Sequence, residues 1–207
     1  MNIEIKGNLA KLLATENLLV EHKKVETASF DVQNRVLTLP IWKTSNDVYN
    51  MLVGHEVGHA LYTPNEDPAT LGVPMSFINV TEDARIEKLM KRKFPGLQKD
   101  FHKAYSQLTD NDFFEIDGKD LTELTLVDRI NLHYKIGSYA MVPFTAAETP
   151  LKDAAGVTET FEEALQVAKD IFKFMKAEFE KKQKEEGESQ SDFSLEMEAG
   201  QGEGEKM

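Results

Sequence analysis

His55-Glu56-Val57-Gly58-His59 is an H-E-x-x-H sequence, two imidazoles and a carboxylate within five residues. On a helix, His55 and His59 stand one turn apart and project from one face. Two imidazoles at that spacing can hold one zinc ion, and the glutamate beside the first can polarise a water on that ion. The chain has no cysteine, so disulfides and thiolate zinc sites are excluded, and any metal must use His, Asp, Glu and water. It also lacks a G-x-S-x-G serine elbow. The chemistry that fits is hydrolysis by an activated water with no covalent intermediate, Glu56 acting as general base.

The element that must carry these residues is a helix. Thr44-Ser45-Asn46-Asp47 supplies N-cap groups, with Thr44 and Asp47 at capping-box spacing, and Thr63-Pro64 ends the helix. Val48, Met51 and Leu52 share a helical face with His55 and His59, which puts the histidines on the buried side. Gly58 costs about 1 kcal/mol of helix propensity against alanine, so its presence predicts that another backbone passes close by.

A third ligand is sought on the next helix, from about Phe77 to Lys93. On a helical wheel Val80, Ile86, Met90 and Phe94 form an apolar face, with Leu89 at its margin. Asp83 and Glu87 fall in the middle of it, Glu82 at its edge, and Arg85, Lys88 and Arg92 opposite. Two acids on an apolar face are costly unless paired or bound to a metal. Asp83 is the better-placed ligand and Glu82 its competitor. Glu87, one turn on from Asp83, can accept a hydrogen bond from a ligand histidine and fix its tautomer. The alternative is a salt bridge of Asp83 or Glu82 with Arg85 or Lys88.

His-Glu-Val-Gly-His-Ala-Leu-Tyr-Thr-Pro, followed by Asn79-Val80-Thr81-Glu82-Asp83-Ala84-Arg85-Ile86-Glu87, resembles the zincin-like metallopeptidase domains that precede von Willebrand factor A-type domains in phage and bacterial proteins. The Glu-Asp-x-Arg-Ile-Glu stretch is also similar to cobaltochelatase T-subunit-like proteins. The resemblance is strongest over about 45–95 and extends to about 175. It implies a zinc-dependent fold with a helical active site, and glutamate as the usual third zincin ligand. It further implies an AAA+ ATPase or a von Willebrand A-type domain as partner, and, more remotely, a role in metal chelation. No Asp-x-Ser-x-Ser adhesion motif of such a partner domain occurs in the chain.

Composition bounds the setting. With 207 residues, 41% hydrophobic, the chain has room for one domain and a tail. A net charge of -12 argues against nucleic acid as a partner. No apolar run reaches membrane-span length and the N-terminus lacks a signal-peptide core, so the expected compartment is the cytoplasm; the resemblance implies that this could be a phage-infected bacterial host. The expected partner is a peptide or protein substrate.

The rest of the chain reads as α+β, mostly helical, with a small N-terminal antiparallel sheet. A first helix spans about 8–16, followed by strands at Leu18–Glu21, Thr27–Val32 and Val36–Leu39, with a turn at Gln33-Asn34-Arg35. Val36–Leu39 is the candidate edge to which a substrate peptide could add as a further strand. Helices follow at Leu97–Leu108, Leu121–Tyr134 and Thr158–Lys176, with Ser138–Pro150 irregular. His102 is a lone histidine with no ligand partner at metal spacing. Oxyanion donors are sought among Arg129, Asn131, His133, Tyr134, Tyr62 and Arg85, each of which has an ordinary structural reading too. The zincin-like domain is expected over 1–180. Residues 181–207 are acidic and poor in large apolar side chains, and are expected to be a disordered linker. A docking role for Phe193, Leu195 and Met197 is the alternative. The competing function is a metal-stabilised adaptor with little or no hydrolysis.

Overall fold

A computed structural model describes residues 9–11, 13–41 and 43–186. Residues 9–14 are helical, position 12 aside. Three strands follow: β1 (Leu19–Lys23), β2 (Ser29–Asp31) and β3 (Val36–Pro40). The helices are α1 (Asn46–Tyr62), α2 (Met75–Lys93), α3 (Pro95–Asp110), α4 (Leu126–Ile136), α5 (Thr149–Val157) and α6 (Phe161–Glu186). The chain is thus α+β and mostly helical. No helix among the described residues is long and apolar enough to cross a membrane.

The sheet is mixed, not antiparallel, with the order β1-β3-β2. β3 pairs parallel with β1, Leu19 opposite Val36, and antiparallel with β2, Phe30 opposite Leu37. The expected pairing of the first two strands is replaced by a crossover through residues 24–35. β3 is the most apolar of the three, and Leu37 and Leu39 are fully buried. It takes the centre, where both its edges are hydrogen-bonded. Val36–Leu39 is therefore no edge, and a peptide cannot add to it. The turn into β3 is held by Asp31, which accepts hydrogen bonds from Asn34.

The sheet is pinned to α1 at two points. His22 Nε2 lies 3.0 Å from the Tyr49 hydroxyl, and the Arg35 guanidinium donates to the Ala60 carbonyl at 2.7 Å. Ser45 caps α1, its Oγ accepting from Val48 N. Helix α1 is buried on nearly every side: Met51 through Gly58 are all buried without a break. Its two glycines face different neighbours. A Cβ on Gly54 would lie 3.1 Å from Leu97 Cδ1 of α3, and one on Gly58 2.9 Å from Ile86 Cδ1 and 3.1 Å from Met90 Cγ of α2. The close approach at Gly58 comes from side chains, not from another backbone. Gly58→Leu is expected to destabilise the protein by about 3 kcal/mol through overpacking. In thermal denaturation this should read as a midpoint lowered by about 6–12 °C.

Helix α2 has two ends in two cores. Phe77 and Ile78 lie in an apolar cluster with Val127, Ile130, Ala168 and Ile171, whereas Met90 lies in the cluster built around α1, α3 and the sheet. Between these ends, Thr81 through Glu87 are all buried, although four of the seven are charged. Arg85, on the face opposite the apolar one, is buried too, because helices pack around α2 on several sides.

Helix boundaries differ from expectation at several places. The helix expected over Leu121–Tyr134 is a 3-10 turn at Leu121–Glu123 followed by an α-helix from Leu126, because Thr125 caps that helix by accepting from Asp128 N. The stretch expected to be irregular, Ser138–Pro150, ends in the start of a helix, Thr149–Val157: Pro150 sits in its first turn, where its missing N–H costs nothing. α6 begins at Phe161 behind a reciprocal cap, Thr160 Oγ1 accepting from Glu163 N and Glu163 Oε2 from Thr160 N. It runs on through 186, so residues 181–186 are helix rather than linker. The remainder of the expected linker, 187–207, and its docking alternative lie outside the described residues, as does the alternating piece before position 9.

Candidate metal centre

Helix α1 delivers His55 and His59 and helix α2 delivers Asp83 to one point. Asp83 Oδ1 lies 3.5 Å from His55 Nε2 and 3.2 Å from His59 Nε2. One ligand atom from each of the three lies within 4.8 Å of the others. Ligand atoms about 2.0–2.1 Å from a tetrahedral ion sit about 3.3–3.4 Å apart, so both separations match such an ion.

The outer ring nitrogens set the tautomers. His55 Nδ1 lies 3.1 Å from Glu87 Oε1, a carboxylate oxygen that accepts. His59 Nδ1 lies 2.9 Å from Thr63 Oγ1, and that hydroxyl donates its own proton to Glu82 Oε1 at 2.6 Å. Both Nδ1 atoms therefore carry the hydrogen when the rings are neutral, which leaves both Nε2 lone pairs facing Asp83. Two nitrogens and one carboxylate oxygen so prepared fit a divalent ion.

Glu82 is spent elsewhere. Arg85 grips it with two hydrogen bonds, Nε to Oε2 at 2.8 Å and Nη2 to Oε1 at 2.6 Å, and also holds the carbonyls of Tyr62 and Glu159. Of the two neighbouring acids, Asp83 turns to the histidines and Glu82 turns to the cap of α1. Glu87 sits in a denser net. The Tyr105 hydroxyl of α3 donates to Oε1, and Lys91 Nζ to Oε2 at 2.9 Å. Asp83 keeps its second oxygen on Lys135 Nζ of α4, at 3.1 Å.

Glu56 is 5% exposed. No described residue donates a hydrogen bond to its carboxylate, yet its oxygens are not sealed from solvent. Burial raises its pKa, as does Asp83, against the pull of His55 and His59. That combination suits a base that works on water.

The charges balance across the site. Burial alone would raise the pKa of Asp83, but Lys135, His55 and His59 hold it far below the ordinary value. Burial is likewise overcome at Glu87, where Lys91 and His55 bring the carboxyl down to about 2. At His55 burial opposes the charged ring, yet Asp83, Glu87 and Glu56 lift the imidazolium pKa to about 9. Without metal this pair stabilises the fold fully below the unfolded value of 6.5, and that contribution is lost as pH rises through about 9. Metal binding must displace this one proton at neutral pH, whereas Asp83 and Glu87 are already ionised. Affinity is therefore expected to rise about tenfold per pH unit from about 7 towards 9. Competition against a chelator of known affinity at several pH values measures it; a flat profile would remove His55 from the ligand set.

Several donors considered from sequence are committed elsewhere. Arg129 is paired with Glu148 and the Pro143 carbonyl, Tyr134 donates to the Lys152 carbonyl, and His133 packs edge-on against Phe144. Arg85 clamps Glu82. His102 meets the Tyr139 hydroxyl at the surface. Thr63, Tyr105 and Lys135 are the residues that sequence reasoning missed. Lys135 carried a signal: it shares the apolar face of Leu132 and Ile136, where an ammonium needs a buried counter-charge. No family model, curated protein or solved structure matches this chain.

Proposed function

We propose that the protein is a zinc-dependent metallopeptidase. The observation that carries this reading is Asp83 Oδ1 at tetrahedral ligand distance from both His55 Nε2 and His59 Nε2, both rings oriented through Nδ1, beside a buried Glu56 that no described residue hydrogen-bonds. The zincin resemblance of residues 45–95 supports it. His55, His59 and Asp83 would hold zinc, which suits two imidazoles and a carboxylate. A bound zinc ion supplies a Lewis acid for a peptide carbonyl and an acidified water as nucleophile. Glu56 takes the proton of the attacking water on its carboxylate and passes it to the leaving amine nitrogen. Glu87 and Thr63 keep the two imidazoles aligned throughout, and the raised pKa of Glu56 brings it nearer to neutrality, where a base can both accept and return a proton.

The burial of the site favours a second reading. His55, Glu56 and Asp83 are each at most 6% exposed, and only the His59 side chain, at 19%, opens outward. β3, the strand considered for a substrate peptide, is covered on both edges. A metal-stabilised binding module for an AAA+ ATPase or a von Willebrand A-type partner needs no substrate entry. Incubating the zinc-loaded protein with a diverse peptide library, products read by mass spectrometry, separates the two. Zinc-dependent cleavage supports the peptidase. A stoichiometric zinc site with no cleavage of any peptide supports the module.

A further inference from the structure

The two oxygens of Asp83 have different surroundings. Oδ1 faces both histidine Nε2 atoms, whereas Oδ2 accepts from Lys135 Nζ at 3.1 Å. The Lys135 side chain is 2% exposed. A lysine stem is long enough to carry its ammonium to water, and ordinarily does. Burying the charge is costly unless an opposite charge meets it. Among the described residues, the other ammonium near the site, Lys91, is bound to Glu87 and is 29% exposed. Lys135 is thus the buried cation committed to the candidate ligand carboxylate.

A carboxylate can bind a cation through one oxygen or two. With Oδ2 held by an ammonium, a single oxygen of Asp83 is free for the ion. We infer that Lys135 is a positioning residue that restricts Asp83 to one ligating oxygen and keeps a coordination position open beside Glu56. The inference rests on the metal-site reading above. It also carries a cost: a buried positive charge near a bound cation weakens the hold on that cation. Lys135 trades metal affinity for an open position.

Cobalt(II) reports coordination number through its visible absorption, which is stronger for four ligands than for five or six, and X-ray absorption counts the nearest atoms directly. Wild type, Lys135→Arg and Lys135→Met are loaded with cobalt and compared. Wild type should give the four-coordinate spectrum. Lys135→Arg, which keeps a cationic donor, should retain it. Lys135→Met should show weaker absorption and one added oxygen neighbour, with cobalt bound more tightly in competition with a chelator, because the repelling charge is gone. Should Lys135→Met fail to fold, Lys135→Leu, which likewise leaves no donor for Asp83 Oδ2, is read in the same way. A cobalt spectrum unchanged by loss of the ammonium overturns the role of Lys135 while the metal centre stands. Failure of the wild type to take up cobalt or zinc removes the metal reading itself, and this inference with it.

Discussion

Purified His59→Ala protein is expected to contain no zinc, against about one zinc per wild-type chain. The substitution leaves one imidazole and one carboxylate, too few protein ligands for a zinc site. The loss should exceed the roughly 10–100-fold that removal of a supporting hydrogen bond costs. Folding should survive, because the His59 side chain is the most exposed of the three and lies at the rim of the site. The variant gives up the contacts of His59 to Thr63 and Asp83, while the Thr63 hydroxyl keeps its bond to Glu82 and Asp83 keeps its bond to Lys135. Elemental analysis gives the metal content and circular dichroism the fold. Thermal melts add an independent reading. Zinc at about 100 times its dissociation constant stabilises the protein that binds it by about 2.7 kcal/mol. At this chain length that raises the wild-type midpoint by about 5–11 °C, and the variant should not respond. Equal zinc in both proteins would place the metal elsewhere.

Glu56→Gln should lower zinc-dependent peptide cleavage by about 10²–10⁴-fold with zinc content unchanged. Glutamine has nearly the same shape and no capacity to take a proton. Glu56 is not in the group that converges on the candidate metal position, so the ligand set is untouched. Thermal stability should hold or rise, because burial raises the Glu56 pKa and so disfavours the charged carboxylate that the substitution removes. This separates a lost base from a lost fold. Full turnover in the glutamine variant would exclude Glu56 as the proton carrier, and another base would have to be sought.

The helices that carry the site were legible because their signals are local. Ser45 at the cap, Thr63-Pro64 at the end and the apolar period of 77–93 depend on neighbours in sequence. The position of Asp83 and Glu87 on an apolar face was equally local. What was not legible depends on partners far along the chain. Arg85 lies opposite the apolar face on the wheel, yet the Tyr62 and Glu159 carbonyls and the Glu82 carboxylate enclose it. The strand order failed for the same reason. Leu19, Phe30 and Leu37 all belong to strand-forming segments, and only the packing of Leu37 and Leu39 beneath α1 sends β3 to the middle. The helix at 149–157 was missed for a different reason: Pro150 was read as the end of an irregular stretch, when the same ring is an accepted first-turn residue. The Thr160–Glu163 cap was written plainly in the sequence and would have fixed the start of α6.

Helix α2 passes from one apolar cluster to the other with its charged stretch in between. Neither cluster can come apart while this helix keeps its place in the other, and the helix cannot leave without stranding Asp83, Arg85 and Glu87 among unmatched partners. The buried acids of α2 thus also tie the two clusters together mechanically. Disorder that starts in either cluster is expected to stop at α2 or to take both. The arrangement of His55, His59 and Asp83 should therefore persist until the two clusters unfold together.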